Sequence, residues 1–133
     1  MLDVGKTKAT AYNFINSTGI TMNSCDSEGV AGTGLSCVMT ADYDYDCTVV
    51  VKIYQVMIEQ RNPLVASTLI YRIQNEHLTK NISVIFNACN IKKDATLTNQ
   101  SVGFIGGENT YLNNIGSVLD VPIISGGAVF KSL

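Results

Sequence analysis

The chain has no tryptophan, a single histidine, two prolines and few charges. Each scarcity excludes something. Charged residues make up 15% of the chain, against about 25% in ordinary soluble domains. The net charge is −2, so a phosphate-tracking groove, which needs a basic surplus, is not expected. The bases between Lys52 and Lys93 are spread out, and no stretch interleaves them with aromatics. Direct nucleic-acid binding is therefore set aside. No window approaches the roughly 18 apolar residues of a membrane-spanning helix, and none is expected. The opening MLDVGKTKATAY lacks the apolar region of a secretory signal.

His77 is the lone histidine. A serine or cysteine nucleophile would need it as base, but it falls in a polar turn and nothing upstream resembles a nucleophile elbow. Gly5-Lys6-Thr7 looks like the end of a phosphate-binding loop, yet the first glycine of that pattern would precede residue 1. The GVAGTG stretch at 29–34 has neither dinucleotide-loop spacing nor a βαβ setting. The chain is accordingly read as no enzyme, with no cofactor. Tryptophan, the commonest flat platform for sugars, is missing; only Tyr43 and Tyr45 lie close enough in sequence to form a small one.

The polarity that charge does not provide comes from 12 Asn, 10 Ser and 12 Thr. A neutral-polar surface suits a subunit that buries much of itself against copies of itself. The charges are also segregated. Residues 9–51 hold five acids and no base, whereas 52–93 hold six bases and two acids. Complementary fields of this kind help subunits find register, and neighbouring strands of one chain would neutralise each other equally well.

The stretch from Cys47 to Ile91 dominates the chain. In LVASTLIYRIQ, Val65, Leu69, Tyr71 and Ile73 share one parity; in NISVIFNACNI, Ile82, Val84, Phe86 and Ala88 do. A period of two is the mark of a half-buried strand. Val49, Val50 and Val51 favour a strand before them. With Arg61-Asn62-Pro63 and Asn75–Thr79 as turns, this reads as a three-strand meander. Ala9–Asn16 and Gly19–Met22 read as a hairpin, Asn23–Gly34 as a glycine-rich loop, and Leu35–Thr40 as a short strand. After Ile91, short apolar runs alternate with glycines, and no fixed-period repeat is visible.

Residues 1–133 are expected to form one domain: an all-β, antiparallel β-sandwich, with a jelly-roll-like arrangement as one form of it, built on the long central meander. Asp42, Asp44 and Asp46 are a candidate Ca²⁺ set, although the glycine and glutamate of the helix–loop–helix version are absent. Of the four cysteines, Cys25 and Cys37 flank the glycine-rich loop and are a candidate disulfide; no pair has zinc-knuckle spacing. Ile123, Ile124, Val129, Phe130 and Leu133 make an unusually apolar end and are candidate subunit contacts. The expected function is structural: a self-assembling subunit of a virion or phage coat, decoration or tail, or of an extracellular filament. Its partners would be copies of itself and other structural proteins of the same assembly. The alternative is a carbohydrate- or ligand-binding β-sandwich module.

Overall fold

A computed structural model of the chain describes residues 2–3, 10–28, 33–57, 67–92, 100–120, 123–126 and 129–132. These residues form fifteen strands and no helix. The strands fall into three sheets of five, visited in strict rotation. The first sheet contains β1 (Leu2–Asp3), β4 (Asp26–Glu28), β7 (Gln55–Met57), β10 (Asn90–Lys92) and β13 (Val118–Asp120). The second contains β2 (Tyr12–Ile15), β5 (Leu35–Met39), β8 (Ser67–Asn75), β11 (Gln100–Gly106) and β14 (Ile123–Gly126). The third contains β3 (Thr18–Asn23), β6 (Cys47–Lys52), β9 (Ile82–Asn87), β12 (Thr110–Ile115) and β15 (Val129–Ser132). Every pairing is parallel, and each strand pairs with the strand three places on. The described residues form a three-sided parallel β-helix of five coils.

The interior is a set of side-chain stacks running along the helix axis. In the third sheet Ile20, Val49, Val84 and Leu112 share a register position, as do Met22, Val51 and Phe86. In the second sheet Phe14, Cys37, Ile73 and Ile105 stack. Val56, Ile91 and Leu119 do so in the first. Residues from all three sheets join one buried cluster, and burial of this apolar area is the main force closing the coils. Each sheet has one face on this core and the other outward. Alternation therefore survives although the sheets are parallel; it is lost only where both faces are covered.

This overturns the antiparallel sandwich, its jelly-roll form and the central meander. The strands of the Cys47–Ile91 stretch are present, but β6 and β9 are parallel neighbours in one sheet while β8 lies in another. The expected first hairpin fails in the same way, since β2 and β3 belong to different sheets. Period-two alternation states which face of a strand is buried and is silent about which strand lies beside it. The expected turn at 61–63 lies outside the described residues. Residues 76–81 form a corner between two sheets instead of a hairpin.

The corners explain how the rotation is held. Between the third and first sheets the chain turns on one residue with positive φ: Ser24 (55°), Ile53 (51°), Ala88 (53°) and Gly116 (62°). Hydrogen bonds continue the ladder around the bend. Ser24 N–H donates to Lys52 O at 2.9 Å, Ile53 N–H to Asn87 O at 3.0 Å and Ala88 N–H to Ile115 O at 3.0 Å. Two residues later Gln55 N–H donates to Cys25 O, Asn90 N–H to Tyr54 O and Val118 N–H to Cys89 O. Few backbone groups are left for side chains to satisfy here. Between the second and third sheets, asparagines do that work. Asn16 Nδ2 donates to Thr40 Oγ1 at 2.9 Å, and Asn16 Oδ1 accepts from Thr40 N–H at 2.8 Å.

Candidate functional site

The acidic segment expected to hold Ca²⁺ lies in the corner between β5 and β6. Asp42 Oδ1 accepts from the Thr40 hydroxyl at 2.7 Å, which holds the carboxyl below its ordinary pKa. Asp46 Oδ1 accepts from Asn81 N–H at 2.9 Å, pinning this corner to the next coil. Among the described residues no three His, Cys, Asp or Glu side chains are grouped to hold a metal ion. Tyr43 and Tyr45 meet edge to face, with ring centroids 5.9 Å apart. Tyr45 is exposed, whereas Tyr43 packs against the core, so the pair offers one free ring instead of a flat platform. His77 caps its own corner: Nδ1 accepts from Thr79 N–H at 3.0 Å and Lys80 N–H at 2.9 Å.

All four cysteines are free thiols, so Cys25 and Cys37 are not bridged. Cys37, Cys47 and Cys89 are buried and Cys25 is half-buried at a corner. Burial, and then the neighbouring Cys47, pushes the Cys37 thiol up to about 12. Burial, and then Asp46, raises Cys47. Only the thiolate alkylates, and only where reagent reaches it. Iodoacetamide applied to the folded chain is therefore expected to leave one adduct, on Cys25, against four after unfolding. Mass spectrometry of the intact chain reads this. No adduct on Cys25 until a reductant is added would show that a bridge forms after all.

Two features of the outer surface stand out. The first is a groove of about 160 Å³ along the corner between the third and first sheets. Its wall is Asp26, Gln55 and Asn90, the outward residues at one register position of three successive coils. Its rim is the corner residues Ser24, Ile53 and Ala88, and Tyr54 lies beneath. The Tyr12 hydroxyl donates to Asp26 O at 2.9 Å. Burial raises its pKa most, followed by the Cys25 thiol and then Asp26. The sequence reading missed this site. A trace of it was legible: Asn23-Ser-Cys-Asp26 and Asn87-Ala-Cys-Asn90 are the same corner in two coils.

The second feature is the pair of stack ends. Ile123 shares a register position with Gly103, Tyr71 and Leu35, all three buried. Ile123 itself is 41% exposed, because no coil covers it among the described residues. At the other end Tyr12, Phe14 and Ile20 occupy inward positions yet are only partly buried. The apolar residues expected to make subunit contacts fall here: Ile123 and Ile124 on β14, Val129 and Phe130 on β15, the outermost strands of their sheets. Leu133 lies outside the described residues.

No protein-family model matches the chain, and no curated protein or solved structure is significantly similar to it. Fold and surface are what its function must be read from. Among the described residues, no helix is long and apolar enough to cross a membrane.

Proposed function

We propose that the chain is a structural subunit that assembles end to end with copies of itself, the last coil of one stacking on the first coil of the next. The supporting observation is the incomplete cover of inward-facing apolar side chains at both ends of the stack, Ile123 at one and Phe14 and Ile20 at the other. The edges also match in kind. The last coil ends on strands of 3, 4 and 4 residues, and the first begins on strands of 2, 4 and 6 in the same sheet order. An open parallel edge carries unpaired N–H and C=O groups and templates another strand. The contact is head to tail, so repetition yields a filament or rod unless the rotation closes. The setting for such a subunit is a tail, coat or decoration layer of a virion, or an extracellular filament.

Sedimentation at increasing concentration tests this. The chain is expected to form elongated oligomers. Ile123→Lys is expected to shift it to monomer with an unchanged circular-dichroism spectrum, because it places a charge in the contact while touching an already exposed side chain. A wild-type chain that stays monomeric at high micromolar concentration overturns the proposal. Oligomers indifferent to Ile123→Lys would overturn the end-to-end contact.

A further inference from the structure

We infer that the corner groove walled by Asp26, Gln55 and Asn90 binds a small neutral polyol, such as a single sugar ring. The inference is independent of the assembly reading. Adjacent parallel strands repeat at about 4.8 Å, so register alone lines these three side chains up as a ladder. None of the three side chains makes a hydrogen bond among the described residues, and all border the same cavity of about 160 Å³. That volume holds about five waters, close to the bulk of one ring with its hydroxyls.

The chemistry of the wall selects the ligand. A carboxylate only accepts, whereas the two amides both donate and accept. Hydroxyl groups, which also do both, can satisfy all three at once. A divalent cation would want several carboxylates, and the groove has one. An anion would meet Asp26 with no Lys or Arg in the lining. A purely apolar ligand would strip water from three polar groups without replacing its hydrogen bonds.

The rim supplies a second observation. Ile53 adopts φ 51°, a left-handed conformation that is a genuine outlier for a β-branched residue. Equivalent corners carry Ser24, Ala88 and Gly116, so the bend does not require isoleucine. Backbone strain of this kind concentrates at ligand clamps and active sites. Ile53 is 57% exposed, so core packing does not account for it. With Ala88 it gives the groove an apolar lip against which the C–H face of a ring can rest.

The test is titration of the ¹⁵N-labelled chain with glucose, galactose, mannose and N-acetylglucosamine, followed by NMR. For a ligand of this size the expected affinity is in the millimolar range, on the order of 1 mM for about a dozen ligand atoms. Saturable shifts are expected at the amides of residues 24–26, 53–55 and 88–90. Asp26→Ala and Asn90→Ala are each expected to weaken binding about tenfold, and Tyr45→Ala to leave it unchanged. Ile53→Gly is expected to weaken binding while raising the melting temperature, a combination that lost folding cannot produce. No saturable shift with any of the four sugars overturns the inference. So do shifts confined to residues 43–45, or binding untouched by Asp26→Ala and Asn90→Ala in folded variants.

Discussion

Replacing Gly103 with alanine is expected to destabilise the fold by about 3 kcal/mol, the upper range for overpacking a core. Gly103 lies on β11 directly beside Tyr71 of β8, at the point where the pairing shifts register. A Cβ added there would overlap the hydroxyl-bearing end of the Tyr71 ring. The ring has nowhere to go. It is fully buried and meets Phe86 edge to face, with centroids 5.4 Å apart. The glycine is thus the space into which the tyrosine of the preceding coil extends. Two companion variants separate this from a generic loss of fold. Gly103→Ala combined with Tyr71→Val is expected to recover much of the loss, because contacting residues are not additive. Tyr71→Phe alone is expected to stabilise by about 1 kcal/mol, since the Tyr71 hydroxyl is buried without a hydrogen-bond partner among the described residues. Urea unfolding measures all three. Strict additivity of the Gly103 and Tyr71 substitutions would refute the packing argument.

Asn75→Ala is expected to cost about 3 kcal/mol, the sum expected when a buried side chain leaves several groups unpaired. Asn75 is 6% exposed and uses both of its amide donors and its carbonyl oxygen. Its Nδ2 donates to Lys80 O at 2.8 Å and Asn109 O at 2.9 Å, and its Oδ1 accepts from His77 N–H at 2.8 Å. One amide therefore shapes its own corner and ties it to the corner of the next coil. Asn109 Nδ2 adds a bond to Leu78 O at 2.9 Å. Asn75→Asp keeps the acceptor and loses both donors, so it should also destabilise. Hydrogen exchange gives a local reading: amides of Thr79 and Lys80, which donate to His77 Nδ1, should exchange much faster in Asn75→Ala. A loss under about 1 kcal/mol, with unchanged exchange, would mean that water replaces the side chain without penalty.

These two sites show how unevenly the architecture was written into the sequence. Val49, Val50 and Val51 marked β6 as a strand without showing which face is buried, whereas the buried face of β9, Ile82, Val84 and Phe86, was legible in their shared parity. The break between β6 and β7 was not. It falls at Ile53-Tyr54, and an isoleucine in a left-handed turn carries no turn signal. Once the corners are known, the repeat can be seen in Asn23–Asp26 and Asn87–Asn90. The intervening coil spells the same corner Lys-Ile-Tyr-Gln, and the intervals between corners are uneven. A period that neither length nor wording preserves is invisible to a search for fixed spacing.

The groove was hidden for a related reason. Asp26, Gln55 and Asn90 are far apart in sequence and individually ordinary. Only the parallel register sets them one above another. The apolar last segment, by contrast, was conspicuous from its composition, and the structure places it on the outermost strands of two sheets.

By itself the amino-acid sequence determined that the chain is built of strands, which side of β8 and of β9 is buried, and that most of its polar residues are uncharged. Those properties are local, since alternation and composition act through the residue and its immediate neighbours. The tertiary structure alone decided that the strands run parallel, that they wind through three sheets, and that one register brings three polar side chains to a single corner. Pairing direction and coil register depend on contacts between residues a full coil apart. Such contacts are settled by how complete coils stack: Tyr71 needs Gly103 beside it, and Asn75 needs the carbonyl of Asn109.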